Sequence, residues 1–143
     1  VTEGHLVGID YAETSVEASR AFNALLIEAG RMEILHGSVE HLPFADEYFD
    51  AVVTVESFYF WPNPEECLKE VARVVKKGGT FLLLAEIYER DDLPESIREK
   101  IAGYALTNPT PEEFERLFRA AGFAVVETHF KEGEYWIAVR GVR

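Results

Sequence analysis

The sequence predicts an α/β fold in which a mostly parallel sheet is flanked by helices. Three observations predict it. Residues 51–55 (Ala-Val-Val-Thr-Val) are an apolar run without in/out alternation, the pattern of a strand covered on both faces. A helical pattern over 64–77 follows and is closed by Gly78-Gly79. A second apolar strand then runs over 80–87. Strand, helix, glycine stop and strand make one βαβ unit, whose parallel strands leave a crevice at their C-terminal ends.

In chain order, 5–10 (His-Leu-Val-Gly-Ile-Asp) is a short apolar run ending in an acid and reads as a strand. Thr14-Ser15-Val16-Glu17 has the form of a capping box: the Thr14 hydroxyl would accept from the Glu17 amide while the Glu17 carboxylate reaches back. The helix it opens places Phe22, Leu25, Leu26 and Ala29 on one stripe and stops at Gly30. Residues 32–36 form a second short strand, and 37–48 is a polar loop interrupted by Leu42-Pro43-Phe44. After the central strand, Phe58-Tyr59-Phe60-Trp61 sets four aromatics in a row before Pro62. Asn63-Pro64-Glu65-Glu66 supplies a cap residue, a proline at the first helical position and acids in the first turn. Leu68, Val71, Val74 and Val75 form the buried face of that helix. Segment 90–106 is charged and weakly helical through Ile97, Ile101 and Tyr104, a cover over the crevice. Thr110-Pro111-Glu112-Glu113 repeats the helix opening, with Phe114, Leu117, Phe118 and Ala121 as core and Gly122 as stop. The alternating runs 124–130 and 135–140, joined by the glycine-containing 131–134, form an antiparallel hairpin.

Composition narrows the function. A chain of 143 residues with 48% hydrophobic and 28% charged residues is expected to build one core. Its net charge of −12, from 26 acids against 14 scattered basic residues, argues against a nucleic-acid partner, whose phosphates need clustered Lys and Arg. No apolar run reaches the roughly 18 residues of a membrane span and no signal-peptide pattern precedes Gly4, so no membrane association is expected and the cytoplasm is the expected compartment. Cys67, the only cysteine, lies on the apolar face of a helix and reads as a packed core thiol.

Joint spacing carries a resemblance. Gly8-Ile9-Asp10, then 37–44 (Gly-Ser-Val-Glu-His-Leu-Pro-Phe), then 49–53 (Phe-Asp-Ala-Val-Val), then 70–79 (Glu-Val-Ala-Arg-Val-Val-Lys-Lys-Gly-Gly) together resemble the class I S-adenosylmethionine-dependent methyltransferases, in particular their small-molecule, quinone-biosynthesis-like branch. Lys77 stands where that family usually has proline, and the terminal hairpin matches the family's last two strands. The resemblance runs from Leu6 to Arg140 and implies a Rossmann-like sheet, S-adenosylmethionine as cofactor and a small-molecule methyl acceptor. The family begins with a strand, a glycine-rich loop and a helix, whereas this sequence contains no Gly-x-Gly and opens at what would be the family's second strand. The expectation is therefore a single methyltransferase-like domain over 1–143, N-terminally incomplete, with the first strand missing from between those at Leu6 and Val52. Either the chain is a piece of a longer polypeptide or a partner supplies the strand, and exposed sheet edges offer a route to a homo-oligomer.

Within this frame Asp10 ends a strand where a ribose would lie, and its carboxylate can accept from both hydroxyls. A plain strand-end acid opening a turn is the alternative. Tyr11 would flank the adenine. Ser38 occupies the place of the family's Asp, which accepts from the adenine amino group, and Val39 would donate to the ring through its backbone N–H. Thr54 and Glu56 lie at the C-terminal end of the central strand, where such sheets hold ligands, with Glu56 facing the cofactor's amino group or the acceptor. Phe58, Tyr59 and Trp61 would line the acceptor pocket, Tyr59 touching substrate. His36, His41 and His129 form no metal-ligand pattern, and no metal is expected. No catalytic base is assigned, since methyl transfer from a sulfonium to a good nucleophile needs mainly in-line proximity and desolvation. Two other readings share parts of the pattern: a nicotinamide-dependent oxidoreductase, which would also use Asp10 but needs an upstream Gly-x-Gly-x-x-Gly, and a non-catalytic binding or assembly module of the methyltransferase fold.

Overall fold

A computed structural model describes residues 4–143. Its contacts divide the chain into two compact units, Val1–Pro43 and Phe44–Arg143. Both mix helices with sheet, and the class is α/β as expected.

In the first unit β1 (Leu6–Asp10) and β2 (Met32–His36) run parallel in register from Leu6↔Met32 to Asp10↔His36. Between them lie α1 (Glu13–Phe22) and α2 (Ala24–Glu28). Leu6 N–H donates to Arg31 O and Gly37 N–H to Asp10 O, so the alternate residues Met32, Ile34 and His36 turn their backbone groups to the outer edge of β2. There Arg20 donates from Nε and Nη2 to Ile34 O, at 3.1 and 2.7 Å. A guanidinium thus occupies an acceptor that a further strand would need.

Two expectations fail here. The Thr14–Glu17 capping box does not form: Ala12 is the N-cap, without a side-chain bond, and Asp10 Oδ1 takes the Ala12 N–H instead. The helix is also not continuous to Gly30. It breaks at Asn23, whose Nδ2 donates to Ser19 O, the local side-chain bonding that makes Asn a poor helix-interior residue. The apolar stripe is split between two short helices and left in solvent, with Phe22 90% and Leu25 81% exposed. Val16 is the buried anchor of α1.

The second unit comprises β3 (Phe49–Val55), a 3₁₀ turn (Phe58–Phe60), α3 (Pro64–Val74), β4 (Val75–Ala85), α4 (Glu95–Gly103), α5 (Pro111–Ala121), β5 (Val125–Phe130) and β6 (Ile137–Val142). The sheet order is β3-β4-β6-β5, with β3 parallel to β4 and β6 antiparallel to both of its neighbours. The predicted hairpin forms, and its second strand inserts between β4 and β5. β4 lies inside the sheet, and Phe81, Leu83 and Ala85 on it are fully buried; Phe81 stacks on Phe118 of α5 with centroids 5.2 Å apart. α3 buries Leu68, Val71 and Val74, as its periodicity requires, and Cys67 is a buried thiol donating to Pro62 O.

Three details depart from expectation. β3 is not covered on both faces: among the described residues it pairs only with β4, and Val53 and Val55 are 58% and 54% exposed. β4 is instead the strand paired on both sides, with Phe81, Leu83 and Ala85 buried on one face and Leu82 and Leu84 half-buried on the other. Gly78-Gly79 do not stop α3, which ends at Val74; they form an irregularity within β4 between the Phe49↔Val75 and Ala51↔Thr80 pairs. Gly78 has φ +76° and donates to Arg143 O, while a Cβ on Gly79 would meet Lys76 O at 2.8 Å and Asp50 O at 2.9 Å. Asn63 does not cap α3 through its side chain, whereas Thr110 caps α5 in a full capping box with Glu113. No helix among the described residues is long and apolar enough to cross a membrane.

Candidate functional site

The predicted site residues fall into two groups, one in each unit, and each group takes its place from the ends of parallel strands. In the first unit Asp10 is the register partner of His36, and the chain leaves the ladder at Tyr11 on one strand and Gly37 on the other. Asp10, Tyr11, Ser38 and Val39 thereby share one end of a two-stranded ladder. Asp10 Oδ1 accepts from Ala12 N–H at 2.8 Å, and its second oxygen takes no protein partner among the described residues. That oxygen keeps the charge and lone pairs to accept from a diol. Tyr11 exposes its ring while its carbonyl accepts from His36 Nε2 at 2.8 Å. His36, which the sequence marked only as a strand end, therefore fixes the backbone from which Tyr11 projects.

Ser38 Oγ donates to Glu40 Oε2 and accepts from Glu40 N–H, both at 3.2 Å, and His41 N–H donates to Ser38 O to close the turn. Val39 N–H has no partner among the described residues. An open carboxylate oxygen, an accepting hydroxyl, a free backbone N–H and an exposed aromatic ring match the needs of a nucleoside: a diol, an exocyclic amine, a ring nitrogen and a flat face.

In the second unit the ends of β3 and β4 are tied by side chains. Glu56 sits at φ +53°, a left-handed conformation that costs a non-glycine residue on the order of 1 kcal/mol or more. Its N–H donates to Leu84 O, and its carboxylate accepts from Glu86 N–H. Tyr59 Oη donates to both Glu56 oxygens at 3.3 and 3.4 Å and accepts from Ile87 N–H at 3.0 Å. Burial first, with the Glu56 charge adding to it, pushes the Tyr59 phenol well above its ordinary value, against the opposing Ile87 N–H. Thr54 Oγ1 and Ser57 Oγ share a short hydrogen bond. Tyr59 O also accepts from Thr107 N–H, which links the segment after α4 to the same cluster.

The expected aromatic wall takes a different form. Phe58 is 1% exposed and packs on Phe114 and Trp61, so it is core and out of a ligand's reach. Tyr59 is buried too and its hydroxyl is engaged within the protein. Trp61 is half-buried over Phe81, and Phe60, the remaining aromatic of the four, is 63% exposed. Among the described residues no group of three His, Cys, Asp or Glu side chains is placed to hold a metal ion.

Comparison with known proteins finds a family match. The family model for a methyltransferase domain matches residues 2–83. A chloroplastic 2-methyl-6-phytyl-1,4-hydroquinone methyltransferase of Spinacia oleracea is 34% identical over 110 residues, which is 77% of this chain and 30% of that protein. This chain spans about a third of the length of the curated plant relatives it matches. Among solved structures, the Haloferax volcanii chain determined as a complex with the Trm112 methyltransferase activator superposes with a TM-score of 0.79 at 24% identity, covering 97% of this chain and 72% of that one. A Thermotoga maritima SAM-dependent methyltransferase is 26% identical with a TM-score of 0.67, covering 99% and 83%.

Proposed function

The chain belongs to the methyltransferase-domain family, whose cofactor is S-adenosylmethionine, and on that premise we propose that it transfers a methyl group from this cofactor to a small-molecule acceptor. The family match sets aside the nicotinamide-dependent reading. It also runs across the boundary between Pro43 and Phe44, which supports treating 1–143 as parts of one methyltransferase-like domain.

The observation that carries the reading is Asp10. One oxygen of its carboxylate is committed to the Ala12 N–H and the other is open, at the ladder end it shares with Ser38. In this reading Asp10 holds the ribose diol, Val39 N–H donates to the adenine ring, Ser38 accepts from the amino group and Tyr11 flanks the base. When bound, the cofactor supplies an activated methyl on a sulfonium. Glu56 acts as a positioning residue: its carboxylate spans the ends of β3 and β4, with Thr54 beside it. Trp61 and Phe60 are the aromatics proposed to meet the acceptor. The name of the spinach relative supports a hydroquinone-class acceptor, and transfer of labelled methyl to a prenylated hydroquinone tests that choice. Self-association through the open edge of β3 is part of the same proposal, and sedimentation velocity checks it.

The deciding experiment is calorimetric titration of S-adenosylhomocysteine into the protein and its Asp10→Asn variant. Asparagine can still accept from Ala12 N–H but lacks the charge, so α1 keeps its start while affinity falls. Losing a charge-assisted pair worth about 1.5–3 kcal/mol weakens binding by roughly 10- to 150-fold. Equal affinity in the variant would remove Asp10 from the site. No binding by the folded protein, supplied with the strand and glycine-rich loop that the family places first, would reject the cofactor reading, and binding without turnover would favour the non-catalytic module.

A further inference from the structure

The turn after β2 lacks the carboxylate that the family places at position 38, yet one stands close by. Ser38 Oγ donates its only hydrogen to Glu40 Oε2 at 3.2 Å and spends one lone pair on Glu40 N–H at 3.2 Å. A hydroxyl has one hydrogen and two acceptor positions, so one lone pair remains open. With its hydrogen directed at an anion, Ser38 acts as an acceptor only, and polarisation by the carboxylate strengthens that lone pair. His41 N–H on Ser38 O and Gly37 N–H on Asp10 O hold both ends of the turn. Glu40 is exposed in the turn, and Ser38 Oγ is the partner its carboxylate has among the described residues.

We propose that Ser38 and Glu40 act as one acceptor unit that selects a base carrying an exocyclic amino group, as adenine does, over one carrying a carbonyl oxygen there, as hypoxanthine does. The proposal rests on the cofactor reading above and deepens it. A serine alone does not discriminate, because its hydroxyl rotates to donate to a carbonyl as readily as it accepts from an amine. Glu40 removes that freedom. With it in place, a carbonyl oxygen would face a lone pair and find no donor, and at this exposed turn the lost hydrogen bond is worth roughly a twofold to tenfold loss in affinity.

The test compares S-adenosylhomocysteine with S-inosylhomocysteine by calorimetry, on the protein and on Glu40→Ala, Ser38→Ala and Ser38→Asp variants, each checked by thermal melting. The protein should prefer the adenosyl ligand by roughly twofold to tenfold. Glu40→Ala should bring the ratio toward unity by tightening the inosyl ligand, because Ser38 regains a hydrogen to donate. Ser38→Ala should weaken the adenosyl ligand, and Ser38→Asp should keep the preference. An unchanged ratio in a folded Glu40→Ala variant overturns the proposal while leaving the cofactor site standing. Failure of the protein, supplied with the family's first strand and glycine-rich loop, to bind either ligand overturns the cofactor reading itself, and this proposal with it.

Discussion

Replacing Tyr59 by Phe deletes one oxygen from the point where β3, the 3₁₀ turn and the end of β4 are joined. That oxygen accepts from Ile87 N–H at 3.0 Å and donates to the Glu56 carboxylate at 3.3 and 3.4 Å. The ring stays, so the packing term is unchanged. The Ile87 N–H loses its acceptor, a loss of about 1–3 kcal/mol, while the bonds to Glu56 are long and belong at the low end for a charged partner. A destabilisation of about 2 kcal/mol follows from these terms. Scaled by about 2.1 cal/mol/K of unfolding entropy per residue, it lowers Tm by roughly 7 °C for a chain of 143 residues. Urea unfolding should show the midpoint moving with the slope unchanged, since no more surface is exposed in the variant. Alkaline pH gives a second reading. The folded phenol holds its proton more tightly than the unfolded one, so its contribution is whole below about pH 10 and is lost as pH rises beyond that. The gap in stability between protein and variant should therefore narrow above pH 10. A change below about 0.5 kcal/mol at neutral pH would refute the claim that this hydroxyl joins the strands.

Thr110→Ala should cost about 1 kcal/mol by urea unfolding, because a capping box is lost, whereas Thr14→Ala should stay within about 0.5 kcal/mol because none forms there. Phe22→Ser should be neutral to within about 0.5 kcal/mol and should raise solubility, while Phe118→Ala, in the buried stack with Phe81 and Phe123, should cost about 3–5 kcal/mol in the same assay. Gly79→Ala should destabilise by at least about 1–3 kcal/mol, since its Cβ meets two backbone oxygens that cannot step aside. Gly78→Ala, at φ +76° in open space, should cost about 1–2 kcal/mol, read as a lowered melting temperature.

Elements governed by local chemistry were legible in the sequence. The strand Met32–His36 has its predicted bounds, α5 opens with the Thr110 box and closes at Gly122 with φ +110°, and the hairpin pairs as its alternation implies. Where the reading failed, a second local option competed. Asp10 reached the Ala12 amide before Thr14 could cap anything, and Asn23 found Ser19 O within the helix. For β3, an apolar run gave strand identity but not coverage, because exposure depends on which strands flank it. The place of Asp10 at the end of β1 could be read because a strand-end acid is a one-residue signal. The Tyr59–Glu56–Ile87 junction could not, because its members meet only after β3 and β4 are aligned. The Ser38–Glu40 turn does carry a local signal, since a serine followed at i+2 by an acid can close on itself through the backbone amide.

The place of β6 bears on the order in which the molecule can be made. β6, the furthest along the chain of the described strands, does not sit at the rim of its sheet; it fills the slot between β4 and β5. Thr80 must wait for Val142, and β5 must hold itself ready without its principal neighbour until that partner has left the ribosome. Closure of a loop this long is an entropic search that local helix formation does not shorten. Until it succeeds, β4 is an apolar strand with one side unpaired, the kind of transient surface on which chains stick to one another. Yield on expression should therefore respond more steeply to temperature and chaperone supply than the stability of the finished fold would suggest.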